Sequence, residues 1–107
     1  MAVTQVSPAE LKGMMDANQP FCLLDVREAH EVAMAAIPGA VHIPLAEIAG
    51  RLKELDARSH IIVMCHAGGR SQMAAGFLAS RGFGHVSNLS GGILGWARDV
   101  DPSVPIY

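Results

Sequence analysis

Apolar and polar positions fall in short blocks along this chain, and the spacing inside the blocks switches between helix-like and strand-like. Ser7-Pro8-Ala9-Glu10 has the form of a capping box with proline at the first helical position. Leu11, Met14 and Met15 follow at helical spacing, and Asn18 and Pro20 close the run. Phe21-Cys22-Leu23-Leu24-Asp25-Val26 is an apolar run of strand length. Asp25 and Glu28 have the spacing of a second capping box, which predicts a short helix over 28–35. Pro38-Gly39 has the order of a type II turn, and Ala40 to Ile43 reads as a second short strand. Pro44 opens a predicted helix in which Leu45, Ile48, Leu52 and Leu55 share one face, with Arg51, Lys53 and Glu54 toward water.

His60 to Cys65 is the clearest strand, continuous in apolar residues as in a strand covered on both faces. The helix beyond it carries Met73, Phe77 and Leu78 inward and ends at Gly82. Val86 to Leu89 reads as the last strand, and Ser90-Gly91-Gly92 opens a final helix carrying Trp96 as a core anchor near the active-site end. Beyond Asp101, two prolines predict an irregular tail. Strands alternating with helices predict an α/β fold with a mainly parallel sheet, in which sites lie at the carboxyl ends of strands. Cys65 occupies such an end.

Composition agrees with one compact domain over residues 1–107, half hydrophobic and 17% charged. A formal charge of −2 argues against attraction to nucleic acid or an anionic membrane. The apolar runs are far too short for a membrane-spanning helix, and MAVTQVSPAELK lacks the blocks of a secretory signal. Two cysteines, 43 positions apart, form neither a disulfide framework nor a metal cluster. A reduced, cytoplasmic setting is therefore expected.

The chemistry concentrates in CHAGGRS, residues 65–71. A tight curl between strand and helix needs positive φ, which Gly68 and Gly69 supply, and its inward amides make an anion nest. The helix N-terminus adds unpaired donors and partial positive charge. A thiol at its mouth has a lowered pKa, and Arg70 offers a planar fork for oxyanions. His66 either tunes the thiol or faces solvent; Ser71 either donates to the sulfur or caps the helix. The constellation reads as a nucleophilic cysteine in an anion cradle.

Three motifs, LLDVRE (23–28) with IPGAVHIPL (37–45), CHAGGRS (65–71) and NLSGGILGW (88–96), together resemble the rhodanese-like sulfurtransferases. The resemblance runs nearly end to end and implies a five-stranded parallel sheet with helices on both faces. It implies that Cys65 takes a sulfane sulfur from a small anionic donor such as thiosulfate and holds it as a persulfide. A thiol or cyanide then accepts it. It implies that the amides of His66, Ala67, Gly68, Gly69 and Arg70 cradle the charge and that Arg70 holds the donor; neither a metal nor an organic cofactor is expected. Many members have Gly-His where this chain has Ala35-Ala36, away from the nucleophile.

Two rival readings use the same fold. One is a sulfur-delivery or regulatory module that binds a partner protein without turnover. The other is a phosphatase or arsenate reductase; phosphatases place five residues between cysteine and arginine, whereas His66 to Gly69 are four. Asp25 and Arg27 either shape the pocket or, as the favoured reading, form a cap and an ion pair that brace the loops. Cys22 reads as inert core, and His30, His42, His60 and His85 lack ligand spacing.

Overall fold

In the computed structural model, which describes residues 3–107, strands and helices alternate as the residue pattern requires. They are β1 (Thr4–Val6), α1 (Pro8–Asp16), β2 (Cys22–Asp25), α2 (Ala29–Met34), β3 (Val41–His42), 3-10 segments Leu45–Gly50 and Leu52–Glu54, β4 (Ile61–Met64), α3 (Gly69–Ser80), β5 (Val86–Leu89) and α4 (Gly92–Asp99). The five strands form one sheet in the order β1-β5-β4-β2-β3, and every pair is parallel. The α/β expectation holds. Strand β1 was not legible in the sequence: of Thr4, Gln5 and Val6 only Val6 is buried, so no apolar run marks it.

Successive strand residues face opposite sides, and each side has its own core. Ile62 and Met64 of β4 join Leu11, Ile93, Trp96 and Ala97 beneath α1 and α4. Ile61 and Val63, with Cys65 beyond the strand, join Ile48, Ala74, Ala75 and Leu78 beneath α3 and the first 3-10 segment. Both faces are covered, which explains why β4 is apolar throughout. Trp96 packs in the core as expected, 5% exposed.

The first capping box is present: Glu10 N donates to Ser7 Oγ at 3.1 Å and Ser7 N to Glu10 Oε1 at 2.9 Å. The second lies one turn later than expected. Glu28, not Asp25, is the N-cap of α2, and its amide donates to Glu31 Oε2 at 2.9 Å. Asp25 remains in β2, where its carboxylate is taken by Arg27.

The predicted helix from Pro44 is instead two 3-10 segments, with i to i+3 bonds such as Glu47 N to Pro44 O and Leu55 N to Leu52 O. Arg51, with φ −126°, breaks the run between them and re-aims Leu52 and Leu55 toward the core. Met73 also departs from expectation, being 69% exposed. The inward face of α3 is Ser71, Ala74, Ala75, Leu78 and Ala79, a helical stripe of mostly small residues that lets the helix sit close on the sheet. Among the described residues no helix is long and apolar enough to cross a membrane.

Strands β2 and β4 are neighbours, yet the chain leaves them in opposite directions, β2 toward β3 and β4 toward β5. The carboxyl ends of such a pair open the crevice where α/β folds bind ligands. Cys65 follows β4 at that crevice.

Candidate active site

Cys65 is 1% exposed, and its Sγ lies inside the turn that joins β4 to α3. Gly68 N donates to it at 3.1 Å, Ser71 N at 3.4 Å and Ser71 Oγ at 3.3 Å. Burial pushes the thiol up. Hydrogen bonds from the Ser71 hydroxyl and from the amides of Ser71, Gly68 and Ala67 outweigh it, so the thiol titrates below its ordinary value. The serine hydroxyl has one proton and also meets Asn88 Oδ1 at 2.5 Å, a closer acceptor than the sulfur. The amides are therefore the donors dedicated to Sγ.

The curl has a definite construction. Gly68 is the left-handed N-cap of α3, with φ 109°, a conformation that other side chains rarely adopt. Gly69, expected to share that role, is already helical and has open space about its Cα. On the other side of the loop, α4 presents its first amides: Ile93 N donates to Cys65 O at 2.9 Å and Leu94 N to His66 O at 3.1 Å. A trans peptide points its C=O and N–H in opposite directions. Holding the His66 carbonyl against α4 thus turns the Ala67 N–H toward the sulfur. Gly92, at φ 59°, lies so close to this turn that an added Cβ would sit 2.3 Å from His66 O and 2.5 Å from Cys65 O.

Arg70 was expected to offer its fork free to an oxyanion. It is instead the second residue of α3, and both terminal nitrogens donate to Glu31, Nη1 to Oε2 at 2.7 Å and Nη2 to Oε1 at 2.8 Å. Hydrogen bonding from Arg70 holds the Glu31 carboxyl at about 2 against the opposing effect of burial, with smaller help from the Glu28 backbone and Tyr107. The Arg70 side chain remains 36% exposed while paired, and the Cys65 charge helps to keep it protonated.

Asp25 and Arg27 form the ion pair of the favoured reading, though not its cap, which Glu28 supplies. Arg27 is fully buried and donates to Asp25 from Nε and Nη2, the latter at 2.7 Å. Its remaining donors reach Ala35 O at 2.7 Å, Glu31 O at 3.3 Å and Tyr107 Oη at 2.9 Å. Every N–H direction of the guanidinium is used, which is what makes so deep a charge tolerable.

His66 does not simply face solvent. Its ring stacks on Tyr107 at 4.2 Å between centroids. Glu31, Asn88 and Tyr107 went unmarked in the sequence as site residues, since each reaches the loop only through tertiary packing. Asn88 lies within the third motif, the one available signal. Cys22 opens β2 at the amino edge of the sheet, the end opposite Cys65, and is half-buried rather than core. Burial pushes its thiol up. Of the other histidines, His60 and His85 stack at 3.5 Å and His42 Nε2 meets Arg27 O at 2.6 Å. Among the described residues no three His, Cys, Asp or Glu side chains converge as metal ligands do.

Residues 7–99 match the family model described as Rhodanese-like domain. A Bacillus subtilis protein named as a sulfur carrier, YrkF, is 39% identical over 89% of this chain. A second from that species, YtwF, named as a sulfurtransferase, is 35% identical over 95% of this chain and 98% of its own length. The chain spans 51% of YrkF and about a quarter of maize relatives named adenylyltransferase and sulfurtransferase. A Staphylococcus saprophyticus crystal structure, SSP1007, superposes with a TM-score of 0.85 at 29% identity, covering 96% of this chain and 99% of that one.

Proposed function

This chain belongs to the rhodanese-like domain family, and from that membership we propose that it transfers sulfane sulfur through a persulfide on Cys65. The observation that carries the reading is the Cys65 Sγ itself, buried yet met by the amides of Gly68 and Ser71. That arrangement stabilises an anion on sulfur, and the thiolate is the species that attacks sulfur.

With thiosulfate as donor, the Cys65 thiolate attacks the outer sulfur and forms an S–S bond. The donor's S–S bond breaks, and sulfite leaves with the electron pair. The persulfide carries its negative charge on the terminal sulfur, within the cradle of His66, Ala67, Gly68, Gly69 and Arg70 and the Ser71 donors. A thiolate or cyanide then attacks that terminal sulfur and returns Cys65 as thiolate. Two displacements with a covalent intermediate make the kinetics ping-pong. The outer N–H groups of Arg70 would orient the sulfonate end of the donor while Glu31 holds the inner ones.

One observation favours a second reading. Because Glu31 occupies both terminal nitrogens of Arg70, a small dianion meets a neutralised arginine, whereas a persulfide delivered by a partner protein does not need one. In that reading the domain is a carrier or regulatory module with poor thiosulfate turnover.

Intact-protein mass spectrometry after brief exposure to thiosulfate tests the proposal. Wild type and Cys22→Ser should each gain one sulfur atom, removable by cyanide, while Cys65→Ser gains none. A wild-type protein that stays unmodified by thiosulfate but loads from a protein persulfide supports the carrier. Loading of Cys65→Ser would overturn both readings.

A further inference from the structure

Tyr107 is the single tyrosine of the chain, 42 positions beyond Cys65 in the irregular tail, and the reaction as written makes no use of it. The tail is anchored below it by Val104, which is 7% exposed and packs in the core beneath α1 and α4. Two features of Tyr107 converge on the active-site turn. Its ring stacks on His66, the residue after the nucleophile, with 25° between the planes. Among the described residues, buried His66 Nε2 has no hydrogen-bond partner, so no bond at that nitrogen aims the imidazole, and the stack does. Its hydroxyl accepts from Arg27 Nη1 at 2.9 Å and donates to Glu31 Oε1 at 3.1 Å. Asp25, Arg27, Tyr107, Glu31 and Arg70 thereby form one continuous chain of charged and polar contacts, running from the end of β2 to the first turn of α3.

We propose that Tyr107 is a positioning residue for the Cys65 loop: its ring fixes His66, and its hydroxyl joins the Asp25–Arg27 pair to the Glu31–Arg70 pair. The His66 residue is then held from two sides, its carbonyl by Leu94 N and its ring by Tyr107. The peptide that directs the Ala67 amide at sulfur cannot rotate without moving one of them. Removal of the ring loosens the donors around Sγ, which raises the pH at which the thiolate forms and slows sulfur loading. Removal of the hydroxyl alone leaves the stack and acts on Arg70 through Glu31.

The inference rests on the sulfur-transfer reading for its loading assay but not for its thiol assay. In a full-length Cys22→Ser background, Tyr107→Phe, Tyr107→Leu and Tyr107→Ala are compared by the pH midpoint of Cys65 alkylation, the rate of persulfide formation from thiosulfate, and thermal melting. Tyr107→Ala and Tyr107→Leu should raise the alkylation midpoint by roughly half to one pH unit and slow loading about five- to tenfold. Tyr107→Phe should keep the midpoint and raise the half-saturating thiosulfate about two- to threefold. Tyr107→Leu keeps most of the buried volume, so the test survives if Tyr107→Ala fails to fold. A lowered melting temperature with the midpoint and loading of the parent would overturn the proposal and leave Tyr107 a structural residue only. If the parent itself takes up no sulfur, the sulfur-transfer reading fails, and the alkylation midpoints alone decide the role of Tyr107.

Discussion

At Cys65 the donors to sulfur are mostly peptide groups, and their direction follows from which carbonyls are held behind them. Leu94 N pulls the His66 carbonyl toward α4, leaving the following amide, that of Ala67, to face Sγ, while Ile93 N anchors the Cys65 carbonyl beside it. Gly92 is the residue that allows α4 to come so close. In Gly92→Ala the new Cβ would lie 2.3 Å from His66 O, a distance the two backbones must open. The substitution should cost on the order of 2 kcal/mol or more and slow Cys65 alkylation at neutral pH by about tenfold. Melting and alkylation measured on the folded variant check both; an unchanged alkylation rate would remove α4 from the making of the cradle. Arg70 teaches the complementary lesson. A guanidinium five residues beyond the strand-end cysteine looks like a free anion receptor in sequence, yet its terminal nitrogens belong to Glu31, 39 residues away. No local spacing announces that partner.

Among the elements, α1 was the most legible because everything that defines it is local. Ser7, Pro8 and Glu10 start it, and Asn18, at φ 54°, ends it with Gln19 N bonded to Met14 O. Ser7→Ala should cost about 1 kcal/mol and lower the melting temperature by about 4–8 °C. Alkylation of Cys65 should not change, since α1 packs on the sheet face opposite the thiol; a change there would show that the two faces are coupled. Helix α3 was placed correctly, with Leu78 buried and Phe77 packed on the core as expected, but Met73 was put on the wrong side. Large Met73 drew the inward face to itself, whereas Ala74, Ala75 and Ala79 line the sheet. Size misleads where a helix lies close to strands, because the contact favours small side chains. The run from Leu45 to Leu55 erred differently: its apolar spacing suits an α-helix, but its backbone closes i to i+3 bonds and breaks at Arg51 into two 3-10 segments.

For the whole molecule, the sheet order puts the ends of β2 and β4 side by side and so brings the LDVRE segment against CHAGGRS. The ion pair between Glu31 of α2 and Arg70 has a pH signature. Glu31 titrates at about 2 in the fold against an ordinary 4.5, so its contribution is complete above about 4.5 and is lost as pH falls toward 2. That difference corresponds to about 3 kcal/mol at most, and nearer 2 because Arg70 is partly open to water. The stability gap between wild type and Glu31→Gln, measured by denaturant unfolding, should therefore narrow steadily from pH 5 to pH 2. A constant gap would mean that the charge of Glu31 is not what Arg70 responds to. His60 also disfavours acid, since burial and neighbouring His85 lower its pKa; its stability is present above about 6.5 and lost below. It is common to both proteins and cancels in the comparison. The alternation of elements, the covered strand ending in Cys65, the glycine-built curl and the first helix cap were all legible in order along the chain, because each is set by neighbours within a few residues. The brace of Asp25 on Arg27 belongs with them, two residues apart. The edge strand β1, the capture of Arg70 by Glu31, the seat of Gly92 against the Cys65 turn and the arrival of Tyr107 on His66 came only with folding. Each joins residues 26 to 83 positions apart, where contact depends on sheet order and on how closely helices pack, quantities that no local period of side chains encodes.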